Sequence, residues 1–259
     1  MRNLRLYRSD AIILRRADFG EADRLVTVFT PHLGKLRLIA KGVRRPVSKM
    51  AGHLELFTYS RLLMAKGRNL DLITQGETVD SFLPLREDLL RTTYAHYVVE
   101  LLDRLTPDAL EDYPLFENLL RALQRLAGDR QPDIAVRFYE TSLLGHLGYR
   151  PQLQHCIHCE CQLAPEVNHF STRVGGVLCP ACGSVDPAAS PLSVNALKVL
   201  RVLQSGNYQL GSQLRLDDAL RREVEGHLRS ALSQVLERDI NSIAFLNRLR
   251  AEEAAQPRS

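Results

Sequence analysis

The sequence predicts an α+β chain in two parts: a β module over residues 1–80, then a helical part over residues 81–259 carrying a metal-binding insert at about 151–190. Three observations predict it. The first third contains several short runs patterned like strands, with no good helix between most of them. After Pro84 the apolar spacing changes to that of helices. Cysteines in two C-x-x-C pairs then interrupt the helical pattern.

Tyr7–Arg16 contains the apolar run Ala11-Ile-Ile-Leu14. Asp23–Thr30 alternates, with Leu25, Thr27 and Phe29 on one face and Val26 and Val28 on the other. Pro31-His-Leu-Gly34 supplies turn chemistry before Lys35–Ala40 alternates again, so a hairpin is expected. Leu54–Ala65 and Asn69–Gln75 are further strand candidates, separated by Lys66-Gly67-Arg68-Asn69. About five short strands in this space suggest a small closed barrel. Leu85, Leu89, Tyr97, Leu101 and Leu105, widened by Val98 and Leu102, then form a helical stripe. A second helix has Pro114 in its first turn, buries Leu115, Leu119, Leu123 and Leu126, and ends at Gly128. A third is expected over Pro132–Leu147, stopped by Gly148. Helical spacing resumes with Val194, Leu197, Leu200 and Leu203, and again from Asp217 to about Leu249. Ala251–Ser259 reads as a frayed tail.

The composition, 45% apolar and 25% charged, is that of a globular protein and argues against disorder for most of the chain. No apolar run reaches the about 18 residues that a membrane-crossing helix needs. Met1–Asp10 meets polar residues too early for a secretory leader, so a cytoplasmic protein is expected. The net charge of +4 is unevenly divided: residues 1–80 carry 15 Lys+Arg against 8 Asp+Glu, a local +7. A basic first third beside a slightly acidic remainder suggests that one end meets a polyanion.

All five cysteines lie within residues 156–182, which argues for metal rather than disulfides in a reducing compartment. Cys156-x2-Cys159 and Cys179-x2-Cys182 are separated by 19 residues, a spacing suited to one structural zinc ion. A two-residue gap lets both sulfurs of a pair reach one ion at ~2.3 Å in tetrahedral geometry, and four thiolates leave no open position for water. Cys161 in place of Cys159, or His155 or His158 in a mixed shell, remain alternatives. His158-Cys159-Glu160 followed by Cys179-Pro-Ala-Cys182 has a superficial likeness to zinc deaminases. That chemistry needs an open zinc position, which four cysteines would close, and Leu178 rather than proline precedes the second pair. No G-x-S-x-G, Walker A lysine motif or nucleophile–base pair marks another enzyme class.

Basic side chains punctuate the β third: Arg15, Arg16, Arg24, Lys35, Arg37, Lys41, Arg44, Arg45 and Lys49. Ala40–Lys49 follows a strand, and its glycine and proline suit an exposed loop whose cations would neutralise phosphates without reading bases. Phe29, Phe57 and Tyr59 are candidate stacking platforms, with barrel core as the competing role, favoured for Phe29 by its alternation with Leu25 and Thr27. Arg121, Arg125, Arg137, Arg221 and Arg222 offer an extension of the path onto the helices.

The sequence resembles the RecO family of bacterial DNA repair proteins, which are recombination mediators, along nearly its whole length. The resemblance rests on Gly20-Glu-Ala-Asp-Arg24 leading into Val26–Pro31, Gly34-Lys35 and Ala40-Lys-Gly-Val-Arg-Arg45. It continues through Leu143-Leu144, Leu147-Gly-Tyr-Arg-Pro151, Cys156-x2-Cys159, Phe170-Ser171, Gly175-Gly-Val-Leu-Cys179 and Cys182, to Ser242-Ile-Ala-Phe-Leu246. Glu160-Cys161 departs from the pattern, where a glycine commonly follows the first pair. The resemblance implies an N-terminal OB-fold, a helical C-terminal domain containing the zinc module, and no enzymatic step. It also implies binding of single- and double-stranded DNA, annealing of complementary strands, and work with RecR to load RecA onto strands coated by single-strand-binding protein. The place of work so implied is the cytoplasm, at the nucleoid.

Overall fold

The computed structural model describes the backbone of residues 6–255 and the side chains of residues 6–236. The side chains of Ser242–Leu246 and the last four residues of the expected tail lie outside the described residues. The chain divides into two compact units between Tyr139 and Glu140.

The first unit begins with β1 (Leu6–Phe19), β2 (Asp23–Thr30), β3 (Gly34–Ala40), β4 (Tyr59–Ala65) and β5 (Asp71–Asp80). They close into a barrel of order β1-β2-β3-β5-β4, in which β3 and β5 run parallel and the other pairs antiparallel. This is the OB arrangement implied by the resemblance. The expected hairpin is present: β2 and β3 pair from Arg24↔Ala40 to Thr30↔Gly34. Its turn depends on Gly34, which has φ +63 and whose added Cβ would lie 2.1 Å from the Leu110 carbonyl oxygen. The barrel is filled by Ala11, Ile13, Val26, Val28, Leu38, Leu54, Leu62, Met64 and Ile73. Ile12 and Leu14, on the opposite face of β1, are buried as well, which explains why that strand reads as a continuous apolar run.

The outer covering is helical: α1 (Pro84–Glu87), α2 (Leu89–Leu105) and α3 (Tyr113–Gly128), with α2 against β1 and α3 against β2. Phe29 is buried here, its ring 6.4 Å from Phe116, so it is core beneath a helix rather than a stacking platform. Phe57 is also buried, edge-on to His96 of α2. Two expectations change. Residues 54–58 are not strand: a 3-10 turn ends at Leu54 and Phe57 adopts φ 68, which turns the chain before β4 starts. The first helical stripe is two helices, because Asp88 leaves helical geometry and its side chain caps α2 by accepting from the Arg91 N–H; Leu89 is consequently 84% exposed.

Helix α4 (Pro132–His146) spans the division between the units. The second unit continues with β6 (Asn168–Ser171), β7 (Gly176–Leu178) and β8 (Ser190–Leu192), forming a small sheet of order β7-β6-β8. Helices α5 (Val194–Gln204), α6 (Tyr208–Gly211) and α7 (Asp218–Ala255) follow, and α5 packs on α7. The short α6 has no sequence-level counterpart, and α7 extends past the expected Leu249.

Candidate nucleic-acid interface and metal centre

The basic loop begins where β3 ends. Gly42 takes φ +64 and donates its N–H to Asp23 Oδ1 at 2.7 Å, while the Arg44 N–H reaches the Ala22 carbonyl at 2.9 Å. The root of the loop is thus fixed to the β1–β2 turn, and the segment from Arg44 to Val47 projects, with Val47 86% exposed. The nine candidate cations separate by their partners. Lys41, Arg45 and Lys49 are exposed and have no ion pair among the described residues. Arg44 shares Asp18 with Arg24, Arg37 meets Asp108 at 3.3 Å, and Arg15 meets Asp103 at 3.4 Å. Such exposed pairs contribute ~0–1 kcal/mol, so phosphate can displace the acid. Arg16 is half-buried against Glu55.

Lys35 departs from the sequence expectation. It is 6% exposed, and its ammonium donates to the Asp103 and Thr106 carbonyls at 2.6 and 2.8 Å and pairs with Asp103 at 3.1 Å. Those carbonyls belong to the C-terminal end of α2, where a cation satisfies orphan acceptors and opposes the helix dipole. Three N–H groups against three near oxygens leave none for a phosphate.

Arg68, which the sequence offered only as part of a strand separator, is exposed and without an ion pair among the described residues. The parallel register Leu38↔Asp71 brings its turn alongside the part of β3 that carries Arg37. Its only sequence signal is a basic turn between two strands. Tyr59 sits elsewhere, in a groove of about 400 Å³ with Tyr7, His32 and Tyr113, its hydroxyl donating to Asp10 at 2.9 Å. On the helices, Arg121 pairs with Glu117, Arg125 lies over Phe138, Arg137 is buried, Arg221 donates to the Leu216 carbonyl, and Arg222 is exposed.

In the second unit Cys156, Cys159, Cys179 and Cys182 converge, their sulfurs all within 4.8 Å of one another. The first pair is positioned by backbone bonds to β7: the Ile157 N–H donates to the Val177 carbonyl, and the Val177 N–H to the Gln152 carbonyl. The second pair starts directly after β7, and the Cys182 N–H closes onto the Cys179 carbonyl at 2.9 Å. Close approach here requires Gly176, whose added Cβ would lie 2.8 Å from the Gln152 oxygen. Burial pushes the Cys156 thiol up, but N–H donors from Cys159, Cys179 and His158 outweigh it and bring it down to about 6. The Cys161 N–H likewise lowers Cys159. Cys159 and Cys179 sulfurs are 3.8 Å apart. Ligands at ~2.3 Å in a tetrahedron stand about 3.8 Å from one another, so the donor set fits a four-thiolate ion. His155 and His158 are not in the set, although the His158 backbone supports it.

One nucleophile–base contact unforeseen in the sequence occurs: Ser190 Oγ lies 3.3 Å from Nδ1 of buried His227, with Glu223 3.9 Å from Nε2. The carboxylate is already engaged, accepting from the Ser193 N–H and hydroxyl at the start of α5. It is therefore a capping group rather than an orienting acid for the imidazole, and burial lowers the histidine's pKa.

The fold and site define an α+β protein in which an OB-type barrel bearing a cationic loop is joined to helices and a thiol cluster able to hold a metal ion. Residues 1–82 match the family model described as Recombination protein O N terminal, and residues 86–244 that described as Recombination protein O C terminal. The DNA repair protein RecO of Roseiflexus sp. (strain RS-1) is 47% identical over 246 residues, covering 95% of this chain and 87% of the relative. That of Pelotomaculum thermopropionicum is 39% identical, covering 95% of each. That of Dehalococcoides mccartyi (strain BAV1) is 36% identical, covering 94% of this chain and 96% of the relative. The chain belongs to the recombination protein O family.

Proposed function

We propose that this protein is a non-enzymatic DNA repair and recombination mediator that binds single- and double-stranded DNA and anneals complementary strands. With RecR it helps load RecA onto strands coated by single-strand-binding protein, working in the cytoplasm at the nucleoid. Family membership, with relatives named DNA repair protein RecO, supports the assignment. Among the described residues no helix is long and apolar enough to cross a membrane. The observation that carries DNA binding is the projecting loop with Lys41, Arg45 and Lys49 lacking an ion pair among the described residues, flanked by the weakly paired Arg37 and Arg44. Annealing follows from charge neutralisation: two strands held on one cationic surface repel less and meet more often, with no nucleotide hydrolysed. One zinc on Cys156, Cys159, Cys179 and Cys182 has a structural role, because the shell is closed. The division into a DNA-binding domain at 1–80 and a helical domain at 81–259 is part of this reading.

The test is a titration of single- and double-stranded DNA at several salt concentrations, followed by an annealing assay. Arg44→Ala with Arg45→Ala should weaken binding to many sequences about equally and flatten the salt slope by roughly one to two. Arg221→Ala with Arg222→Ala is the control. A larger effect of the helical pair would move the principal DNA surface to the helices, and a binding curve indifferent to salt would favour a protein adaptor.

A further inference from the structure

The groove beside Tyr59 is built from four elements of the first unit: the first half of β1, the β2–β3 turn, the start of β4 and the first turn of α3. The β2–β3 turn is held by Thr30, whose hydroxyl donates to the Gly34 carbonyl at 2.9 Å and accepts the Leu33 N–H at 3.1 Å. Asp112 caps α3 by accepting the Leu115 N–H, which fixes the start of the helix at Tyr113. The His32 and Tyr113 rings stack there, 5.6 Å between centroids and 18° between planes. Phe116 is buried below, its ring edge-on to Tyr59 at 6.1 Å. Tyr113 is 48% exposed and His32 is exposed as well, so the stacked pair presents ring surface that the protein leaves uncovered.

The acids of the groove are already matched. Asp10 accepts from Tyr59 and pairs with Arg61, Glu117 accepts from Tyr113 and pairs with Arg121, and Glu111 meets His32. Arg8 lines the groove, is exposed and has no ion pair among the described residues. The spare charge is therefore positive, which suits an anionic aromatic ligand and not the basic side chain of a protein partner. A volume of about 400 Å³ lies in the range of small-ligand sites. We infer that this groove takes one nucleotide of a single strand, its base stacked on Tyr113 and His32 and its phosphate on Arg8. The inference rests on the DNA-binding reading, in which the cationic loop holds phosphates of either strand form. Groove and loop lie at opposite ends of the β2–β3 hairpin, Thr30↔Gly34 at the turn and Arg24↔Ala40 at the loop. At 3.4 Å per residue that is about 20 Å along the hairpin. Folds of this type engage about 4–16 nucleotides, so one strand can occupy both. Bases of a duplex keep their faces inside the helix, so the groove separates single from double strands where phosphate contacts do not.

The experiment measures the affinity of the full chain for a single strand of about 16 nucleotides, for its duplex and for dAMP, at several salt concentrations. The proteins are wild type, His32→Ala with Tyr113→Ala, Tyr113→Phe, and Arg8→Ala. The double variant should lose roughly 5- to 150-fold in single-strand affinity, the worth of one base stack, with duplex affinity and salt slope unchanged. Arg8→Ala should flatten the single-strand salt slope by about 0.7. Tyr113→Phe keeps the ring, loses only the bond to Glu117, and should bind as wild type does. Equal losses on single strand and duplex in the double variant overturn the inference, as does a Tyr113→Phe that is equally weak. Unchanged single-strand affinity in the double variant also overturns it and leaves the groove to a protein partner. Wild-type binding of dAMP as tight as that of the strand makes this a free-nucleotide site and overturns the strand assignment. A wild-type protein that binds neither strand form overturns the DNA-binding reading and this inference with it.

Discussion

Replacing Lys35 with methionine separates two roles that charge alone cannot distinguish. As a DNA contact, Lys35 would contribute to affinity and leave folding untouched. As the buried group seen here, it joins the barrel to the end of α2 through two carbonyls and the Asp103 carboxylate. Removing one partner of a buried ion pair costs about 3–5 kcal/mol. Asp103 and Asp108 remain partly exposed and can turn to Arg15 and Arg37, which puts the expected loss at the lower end, about 3 kcal/mol. At about 2–4 °C per kcal/mol for a protein of this size, the melting temperature should fall by roughly 6–12 °C. The assays are thermal or urea unfolding, and DNA affinity against salt measured well below the melting temperature. The slope of log K against log salt should match wild type. Unchanged melting with a slope reduced by about one, the signature of a lost phosphate contact, would refute the reasoning.

Three other perturbations follow from the same geometry. Gly34→Ala combines a left-handed backbone costing about 1–2 kcal/mol with a Cβ thrust against the Leu110 oxygen, and should lower stability by ~2–5 kcal/mol in urea unfolding. Chelation should open the loop-rich segment 151–190 first, detected as new proteolytic cuts confined to it, because the binding energy of a structural zinc is folding energy. His227 has its pKa lowered by burial, so below its unfolded value of about 6.5 the unfolded state takes up the proton first. Its contribution is therefore full above that pH and lost as pH falls, and His227→Gln should show a shallower stability loss than wild type between pH 8 and 6.

The parts of the fold legible in the sequence are those fixed by near neighbours. Alternation on both sides of Pro31-His-Leu-Gly34 identified the β2–β3 hairpin, and Pro114 and Gly128 bracketed α3 closely. Errors arose where a single residue overrode a pattern. Leu54 to Tyr59 is apolar and aromatic enough to read as strand, yet the left-handed Phe57 breaks it, and the Phe57 N–H is satisfied by the Ile13 carbonyl, 44 positions earlier. Leu89 fits the helical stripe by spacing, but the new helix starting after Asp88 turns it to solvent.

The two candidate sites differ in legibility for the same reason. Thiolate geometry around one ion is encoded by a two-residue gap, and the 19-residue separation only has to bring two such pairs together. A cation's availability depends on acids that the sequence places far away: Asp103 lies 68 positions from Lys35 and 88 from Arg15, and Glu55 lies 39 from Arg16. Counting charges over residues 1–80 therefore gives the sign of the surface but not its address. Subtracting the paired groups leaves, among the described residues, Lys41, Arg45 and Lys49 on the loop after β3, Arg68 in the β4–β5 turn and Arg8 on β1. Four of these five lie outside the strands, where a side chain can reorient without disturbing the barrel. The strand cations are divided: Lys35 and Arg16 are bound to the framework, whereas Arg8, Arg15, Arg37 and Arg61 retain exposed heads. The barrel thus acts as a scaffold that pairs most of its own strand cations with acids and presents the larger share of the unpaired ones at its loops.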